Sequence, residues 1–294
     1  MESRGRRVVR FAGADGTPRL GVVLPDAPTT VRSLPQADAA AAIEAGLPAG
    51  DAVLEALDAE TLELPAPWRL LAPCVAPETW CAGVTYERSR DARLAESETD
   101  ARDAYALVYE ADRPELFMKD VNGRRTAGPG ERIGVRTDQH WTVPEPELVL
   151  FLGERGKLLG VTAGNDVSSR DIEGANPLYI PQAKIFAGAA AIGPAILVPD
   201  DWAQPFPIQL TIRDASGAVL FDGETSTARL KRGLQELADW CVYDNPVPAG
   251  SVLMTGTGLV PADEYALEAG HVVEICIPGI GRLRNVAAPA SDLL

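Results

Sequence analysis

Hydrophobic and polar residues alternate over short runs along most of the chain, and glycine and proline interrupt these runs repeatedly. This pattern is typical of a protein built from short strands. Residues 6–24 alternate on both sides of the turn sequence GADGTP, which predicts a β-hairpin. The alanine-rich runs 36–47 and 51–59 predict two helices instead. We therefore expect a small α+β unit at the beginning of the chain.

The second half of the sequence contains one stretch with clear helical periodicity, residues 227–241 (TARLKRGLQELADWC). Apolar residues recur there every three or four positions, as they do on the buried face of an amphipathic helix. The residues of this face are Leu230, Leu234, Leu237 and Cys241. Ser226 or Thr227 is expected to cap the first turn. The rest of the chain after residue 75 favours strands and loops, so the fold is expected to be α+β and mainly β.

A proline-spaced connector, LELPAPWRLLAP (62–73), separates the two halves. Prolines at this spacing disfavour both a helix and a central strand, because proline lacks the backbone N–H that either would use. We place a domain boundary here. The prediction is a small N-terminal domain, residues 1–70, followed by a larger domain, residues 71–294.

The chain of 294 residues carries 42 acidic and 27 basic residues other than histidine, for a formal charge of −15. A nucleic-acid backbone or an anionic membrane would repel such a surface, so neither is an expected partner. The longest weakly polar run, 188–198, is too short to span a bilayer. The four cysteines show no C-x-x-C spacing and are expected to be reduced thiols. These features predict a soluble, cytoplasmic protein.

The stretch ELVLFLGERGKLLGVTAG predicts a second hairpin whose turn lies at Arg155 and Gly156. If those two residues form the turn, counting outward places Glu145 opposite Asp166. Glu147 lies two residues from Glu145 and so faces the same side of the strand. The hairpin therefore brings three carboxylates together on one face.

Three neighbouring carboxylates raise each other's pKa, whereas a bound divalent cation keeps them ionised. An all-oxygen ligand set without histidine or cysteine suits Mg²⁺ or Mn²⁺ and not Zn²⁺. On the same face, Gly160, Thr162 and Gly164 are small and are expected to leave room for the ion. Pro144 and Pro146 place this end of the strand at an edge or rim. The alternative is that the acidic pair is a solvated strand edge.

Several motifs in this order resemble the fumarylacetoacetate hydrolase superfamily: Glu145 and Glu147, then GNDVSSRD with Asp166, Lys184 in PQAKIF, and TGTG at 255–258. The resemblance covers about residues 75–290. It implies a β-sandwich roll and a homodimer or homotetramer. It also implies that Glu145, Glu147 and Asp166 bind Mg²⁺, Mn²⁺ or Ca²⁺, that the lysine lies beside the ion, and that the threonine-glycine turn contacts a small 2-oxo acid substrate.

The branch of this family depends on the segment 83–97, GVTYERSRDARLAES, which contains no histidine. Hydrolases and decarboxylases of the family typically place a water-activating histidine there. The segments YERSRDARLAESET, RPELFMKD and GNDVSSRDIEGANPLYIPQAK instead resemble the branch that dehydrates 2-keto-3-deoxy-D-arabinonate. We therefore expect a lyase of pentose catabolism that forms 2-oxoglutarate semialdehyde through a metal-stabilised enolate. Elimination of water needs a proton acceptor and a proton donor but no activated water.

Glu115 and Lys184 are the candidate proton-transfer residues, and either could act as base or acid. The residues expected to contact the substrate are Tyr86, Arg88, Arg90, Lys119, Arg170 and Thr257. Each also has a structural interpretation, such as a solvated lysine, a glycine turn at TGTG, or a plain ion pair between Arg170 and Asp171. Arg170 is equally compatible with orienting Asp166.

Two other functions remain compatible with the sequence. One is a hydrolase or decarboxylase that cleaves acylpyruvates or related 2-oxo acids with the same metal. The other is a non-catalytic module that binds a sugar acid beside a structural Ca²⁺ ion. A lysine beside the carboxylates argues against the binding module, because a structural calcium site has no use for it. Turnover of a 2-keto-3-deoxy acid would separate all three.

Overall fold

The structure is a computed structural model that describes residues 5–55, 57–87 and 107–294. Strands dominate these ranges, as the short alternating runs predict. Their bounds are β1 Gly5–Ala12, β2 Pro18–Leu24, β3 Ala27–Ser33, β4 Ala52–Glu55, β5 Arg69–Leu70, β6 Glu78–Gly83, β7 Glu115–Val121, β8 Thr126–Ala127, β9 Arg132–Val135, β10 Thr142–Val143, β11 Pro146–Leu152, β12 Leu158–Asp166, β13 Ser168–Ser169, β14 Ala190–Pro199, β15 Pro207–Arg213, β16 Val219–Ser226, β17 Val252–Met254, β18 Val272–Ile277 and β19 Gly281–Pro289.

The strands form two main sheets that pack against each other. The larger sheet has the order β4-β3-β2-β1-β14-β12-β11-β17-β6-β7, with β5 beside β1 and β8 beside β14. The smaller has the order β16-β15-β18-β19-β9, and β10 pairs with β13 separately. Leu150 of β11 packs in one apolar cluster with Leu210 of β15 and Ile275 of β18. This two-layer arrangement confirms the mainly β fold expected from the sequence.

Four α-helices lie wholly within the described ranges, and all are short; residues 107–110 are also helical. Their bounds are α1 Ala39–Glu44, α2 Arg170–Ala175, α3 Ile180–Lys184 and α4 Leu234–Cys241. Asp38 caps α1 by accepting a hydrogen bond from the Ala41 N–H at 2.9 Å. The helix predicted over 36–47 is therefore confirmed in its centre but not at its ends.

The helix predicted over 51–59 is wrong. Ala52–Glu55 forms the strand β4, which pairs antiparallel with β3 at the end of the large sheet. The sheet edge offers backbone donors and acceptors to this segment, and such a non-local interaction readily overrides helix propensities of a few tenths of a kcal/mol per residue.

The amphipathic helix predicted over 227–241 is wrong in its first half. Thr227–Arg229 forms a single 3-10 turn capped by Ser226, and α4 begins at Leu234. Leu230 between them is extended and pairs with Tyr86. This contact removes Leu230 from the predicted helical face.

The hairpin formed by β11 and β12 has the predicted register. Pro146 pairs with Asn165 and Phe151 with Gly160, and the Asp166 N–H donates to the Glu145 carbonyl at 3.0 Å. The turn differs from the prediction, because it is a three-residue 3-10 turn over Glu154–Gly156. An irregularity between Phe151 and Leu152 compensates for the different turn and restores the expected pairing.

The glycines of β12 make room for neighbouring side chains, which corrects the expectation that they leave space for an ion. A Cβ on Gly164 would lie 2.4 Å from Val149 Cγ2, and one on Gly160 would lie 2.4 Å from Ile196 Cγ2. The space is thus filled by the apolar cluster on this face of the large sheet, which α1 also covers.

The N-terminal strands continue the large sheet across β1, which pairs antiparallel with β14. The connector 62–73 contributes β5, and this strand pairs with β1 on its way to β6. The division into domains 1–70 and 71–294 stays a prediction. In the folded chain, both parts share one continuous sheet.

Candidate active site

The three predicted metal ligands lie together at the end of the β11–β12 hairpin. One carboxylate oxygen each from Glu145, Glu147 and Asp166 lies within 4.8 Å of the other two, and all three residues are buried. β11 is flanked by β12 and β17, so this is the rim of a central strand and not a sheet edge. Such an all-oxygen set of ligands suits Mg²⁺.

Cationic side chains surround two of these carboxylates. The Lys184 ammonium, at the end of α3, lies 2.9 Å from both Glu145 Oε2 and Asp166 Oδ2. The Arg170 guanidinium at the start of α2 donates to Glu145 Oε1 at 2.8 Å. Lys119 of β7 contacts the other oxygen of Asp166 and donates to the Val167 carbonyl at 2.9 Å.

Glu147 is held differently from the other two ligands. Glu147 forms no ion pair with another described residue. Its Oε2 accepts a hydrogen bond from the Gly256 N–H at 2.6 Å. Burial raises the pKa of Glu147 well above its usual value, and the charges of Asp166 and Glu145 raise this pKa further. Lys184 and the Gly256 N–H offset only part of this effect. A divalent cation would stabilise the ionised form that burial disfavours.

The charge of the cluster also fits a bound ion. Its carboxylates are the three ligands and Glu173, which lies 3.6 Å from the Lys184 ammonium. Glu115 lines the same cleft and brings the carboxylates to five, whereas Lys119, Arg170 and Lys184 supply three positive charges. The ionised groups therefore have a formal charge of −2, which a divalent ion would neutralise. The residues present therefore fit Mg²⁺.

A narrow cleft opens over the ligands, and four of the eight predicted catalytic and substrate-binding residues line it. Glu115, at the start of β7, faces the same cleft as Lys184. Thr257 and Arg170 also line it. The other lining residues are Ala82, Gly83, Val84, Phe117, Glu173 and Gly256, besides the three ligands.

The TGTG turn supports the site by holding β11. Thr257 Oγ1 donates to the Pro146 carbonyl at 2.9 Å, next to the acidic pair. Gly256 and Gly258 lie where neighbouring side chains leave no space for a Cβ. A Cβ on Gly256 would lie 2.1 Å from Thr85 Oγ1, and one on Gly258 would lie 2.5 Å from the Tyr86 ring. These glycines let the segment before residue 88 pack against the turn.

Two other predicted substrate contacts, Lys119 and Tyr86, are not among the residues that line the cleft. Lys119 is fully buried against Asp166, so the structure places it as support for that ligand. Tyr86 is buried and its hydroxyl has no hydrogen-bond partner among the described residues. Burial followed by the charge of Glu147 raises its pKa. Arg88 and Arg90 lie outside the described residues. Contact of these four residues with substrate stays a prediction.

Arg170 does not pair with Asp171, the simple ion pair considered from the sequence. Asp171 instead accepts hydrogen bonds from Ser169 Oγ and the His140 N–H. Arg170 lies against Glu145 and has Glu173 at 3.9 Å. Glu173 was missed from sequence, although its position three residues after Arg170 puts both on one face of a helix.

Neither of the two histidines of the chain lines the cleft. His140 is exposed, and His271 Nδ1 lies 3.3 Å from the Tyr265 hydroxyl. The side chains that face the ligands are instead carboxylates, an arginine and a lysine. This set can transfer protons but offers no imidazole to activate water.

Within the ranges that the structure describes, no helix has the length and apolar character needed to cross a membrane.

Two curated relatives match about three quarters of the chain. The first is the probable 2-keto-3-deoxyxylonate dehydratase of Haloferax volcanii, which is 46% identical over 214 residues, 72% of this chain and 73% of the relative. The second is the 2-dehydro-3-deoxy-D-arabinonate dehydratase of Saccharolobus solfataricus, which is 41% identical over 218 residues, 73% of each chain.

Solved structures extend the similarity to nearly the whole fold. The apo form of 2-keto-3-deoxy-D-arabinonate dehydratase superposes with a TM-score of 0.83 at 33% identity and covers 96% of this chain and 99% of that chain. The complex of this dehydratase with magnesium and 2,5-dioxopentanoate gives 0.82 at 32% identity with the same coverage. The family model described as the fumarylacetoacetate (FAA) hydrolase C-terminal domain matches residues 78–287. The chain therefore belongs to the fumarylacetoacetate hydrolase family.

Proposed function

We propose that this protein is a magnesium-dependent lyase that removes water from a 2-keto-3-deoxy pentonate and forms 2,5-dioxopentanoate, which is 2-oxoglutarate semialdehyde. The names of the relatives at 46% and 41% identity support this reaction, as does the solved complex with magnesium and 2,5-dioxopentanoate. The observation that carries the proposal in this chain is the cleft itself, which combines a buried triad of carboxylates with Lys184 and Glu115 and contains no histidine.

Glu145, Glu147 and Asp166 would hold the ion. Lys184 and Arg170 orient Glu145 through ion pairs, and Lys184 also orients Asp166. When bound, magnesium supplies a Lewis acid for the 2-oxo and carboxylate oxygens of the substrate. The cleft is narrow and its acidic ligands are buried, so water has little access to the reacting carbons.

Glu115 and Lys184 are the groups placed to move protons. One of them takes a proton from C3, and the electron pair of the broken C–H bond expels the C4 hydroxyl, which leaves as water after gaining a proton from the other. The unsaturated alcohol then loses a proton at C5 and gains one at C3, which gives an enol across C4 and C5. This enol loses its O–H proton and gains a proton at C4, which converts C5 into an aldehyde. The substrate loses one water in total and gains no other atom. The assignment of base and acid between the two residues stays open.

The two sugar-acid names among the relatives describe the same kind of substrate. In a 2-keto-3-deoxy pentonate, C2 is a ketone and C3 a methylene, so C4 is the only stereocentre left. The arabinonate and xylonate derivatives thus share their carbon skeleton and functional groups. We propose this five-carbon skeleton as the substrate, formed during pentose catabolism.

We also propose that the protein is cytoplasmic and forms a homodimer or homotetramer. The four cysteines are free thiols, as expected in a reducing compartment. Leu178, Val219 and Leu220 are exposed in the single chain, and a second copy could cover such apolar side chains. Light scattering coupled to size-exclusion chromatography measures the assembly directly, and a monomer would contradict this part of the proposal.

Product analysis tests the reaction. The purified protein with Mg²⁺ is offered a 2-keto-3-deoxy pentonate and, in parallel, an acylpyruvate, and the products are identified by mass spectrometry. We expect 2,5-dioxopentanoate from the first and little cleavage of the second. Faster release of pyruvate from the acylpyruvate would instead identify a hydrolase. Tight binding of the sugar acid without turnover would identify a binding module.

A further inference from the structure

We propose that Gly83 is a positioning residue that seats the Glu115 carboxylate in the cleft, an inference that rests on the proposed role of Glu115 in proton transfer. A close contact between the Glu115 side chain and the Gly83 backbone, here called the seat, supports this role. A Cβ built on Gly83 would lie 1.9 Å from Glu115 Oε2, 2.7 Å from its Cδ and 3.3 Å from its Cγ. The end of the glutamate side chain thus lies directly over the bare Cα of Gly83.

Strand pairing explains why the two residues meet. Gly83 ends β6, Glu115 begins β7, and the two are paired across the strands. The chain turns away directly after Gly83, because Val84 has a left-handed φ of 51°. Both Gly83 and Glu115 line the cleft that contains Lys184. A side chain on residue 83 would therefore overlap the position of the Glu115 carboxylate.

A second set of contacts holds the backbone that leads to Glu115. The buried Arg232 guanidinium donates to the Asp112 carbonyl at 2.8 Å and also to the Ala111 carbonyl. This clamp acts on the main chain three residues before Glu115. Gly83 acts on the other end of the same residue, where the carboxylate lies. The main chain and the side chain of Glu115 are thus positioned by different contacts.

A methyl group at position 83 should move the carboxylate and leave the fold intact. The atoms it would overlap all belong to the end of a flexible side chain, which can rotate away. Gly256 is different, since a Cβ there would also approach the Ala82 carbonyl and its φ is 89°. Displacing a reacting group by about an ångström can lower the rate by as much as about 10²-fold.

The test is a double-mutant cycle with Gly83→Ala, Glu115→Gln and the combined variant, measured with 2-keto-3-deoxy pentonate and Mg²⁺. We expect Gly83→Ala to lower kcat by about 10- to 100-fold, with KM and the Kd for Mg²⁺ changed by less than about twofold. In the Glu115→Gln background, the same glycine substitution should change kcat by less than about twofold, because its target is already disabled. Gly233→Ala is the matched control, since the nearest atom to a Cβ there is Glu236 Cβ at 3.9 Å.

Each contrary result has a distinct meaning. If the double variant lost kcat by the product of the two single losses, Gly83 would not act through Glu115. An unchanged kcat in Gly83→Ala would show that Gly83 does not position the carboxylate. Unfolding of Gly83→Ala, seen by circular dichroism, would also overturn the inference, since only a movable side chain should be in the way. Full activity of Glu115→Gln would remove the proposed catalytic role of Glu115 as well, while product analysis of the wild type would still test the dehydration separately.

Discussion

The metal ligands and Glu115 face one cleft from two differently constrained parts of the large sheet. Glu145 and Glu147 lie at the beginning of β11, a strand with neighbours on both sides, whereas Glu115 begins β7, which is the last strand of the sheet order. The ligands are oriented by ion pairs and a backbone N–H. The end of the Glu115 side chain lies against the backbone of Gly83. The comparison indicates that the carboxylates proposed to hold an ion are built into the interior of the sheet, while the residue proposed to transfer a proton lies on the last strand of the sheet order.

The largest effect should come from removing Glu147, the ligand that forms no ion pair with another described residue. We expect Glu147→Gln to reduce activity to background, because the site loses a charged ligand. The metal-free variant should be at least as stable as the metal-free wild type, since a buried carboxylate without a cationic partner opposes folding. Metal titration, turnover and urea unfolding measure the three quantities. Full activity after exhaustive chelation of the wild type would contradict the metal requirement.

Lys184→Met should show the opposite effect on stability. Turnover should fall by about 10²- to 10⁴-fold if Lys184 transfers a proton. The metal-free protein should also lose about 3–5 kcal/mol of unfolding free energy, because two buried carboxylates lose their shared cation. Added Mg²⁺ should recover part of this stability but not the turnover. If turnover were unchanged, Lys184 would have a structural role only.

Loosening the attachment of β7 should lower kcat but leave the affinity for Mg²⁺ unchanged. We expect Arg232→Met to lower kcat by about tenfold, since the main chain before Glu115 loses its clamp, and to leave the Kd for Mg²⁺ unchanged. Arg232→Lys should recover part of the rate. Steady-state kinetics and metal titration are compared for the three proteins, and a weakened Kd for Mg²⁺ would show that the two regions are not independent.

The smallest effect is the pH dependence of Mg²⁺ affinity, which arises from the buried carboxylate of Glu147. Because the pKa of Glu147 is raised in the metal-free protein, its neutral form contributes stability below the unfolded value of 4.5 that is lost as pH rises through the folded pKa. Metal binding should release this proton, so affinity for Mg²⁺ should increase with pH, by at most about tenfold per unit. Calorimetry in buffers with different heats of ionisation measures the number of protons released on binding. A Kd for Mg²⁺ that does not change with pH would contradict the raised pKa of Glu147.

Local pairing explains why the sequence predicts the cluster of three carboxylates. The register of β11 and β12 depends on one short turn and on strand alternation, so Glu145, Glu147 and Asp166 could be placed on one face. Residues that meet only through distant strands could not be found this way.

The errors share a physical cause, which is pairing with a segment far away in sequence. Leu230 has helical neighbours, yet it pairs with Tyr86. Ala52–Glu55 has a composition that favours a helix, yet it forms a strand that pairs with β3. The seat at Gly83 is equally invisible, because only the pairing of β6 with β7 brings Glu115 to it. Local propensity is too weak to decide such cases.

The position of β17 determines when this site can be completed during synthesis. β17 separates β11 from β6 in the sheet order, and Thr85 donates to the Thr255 carbonyl across 170 residues of sequence. The ligand hairpin can form as soon as residue 166 has left the ribosome. The strands that carry Gly83 and Glu115 emerge earlier but have no place in this sheet until Val252–Met254 arrives. The cleft therefore cannot be completed before this strand of three residues is synthesised, although most of the residues that line it are translated much earlier.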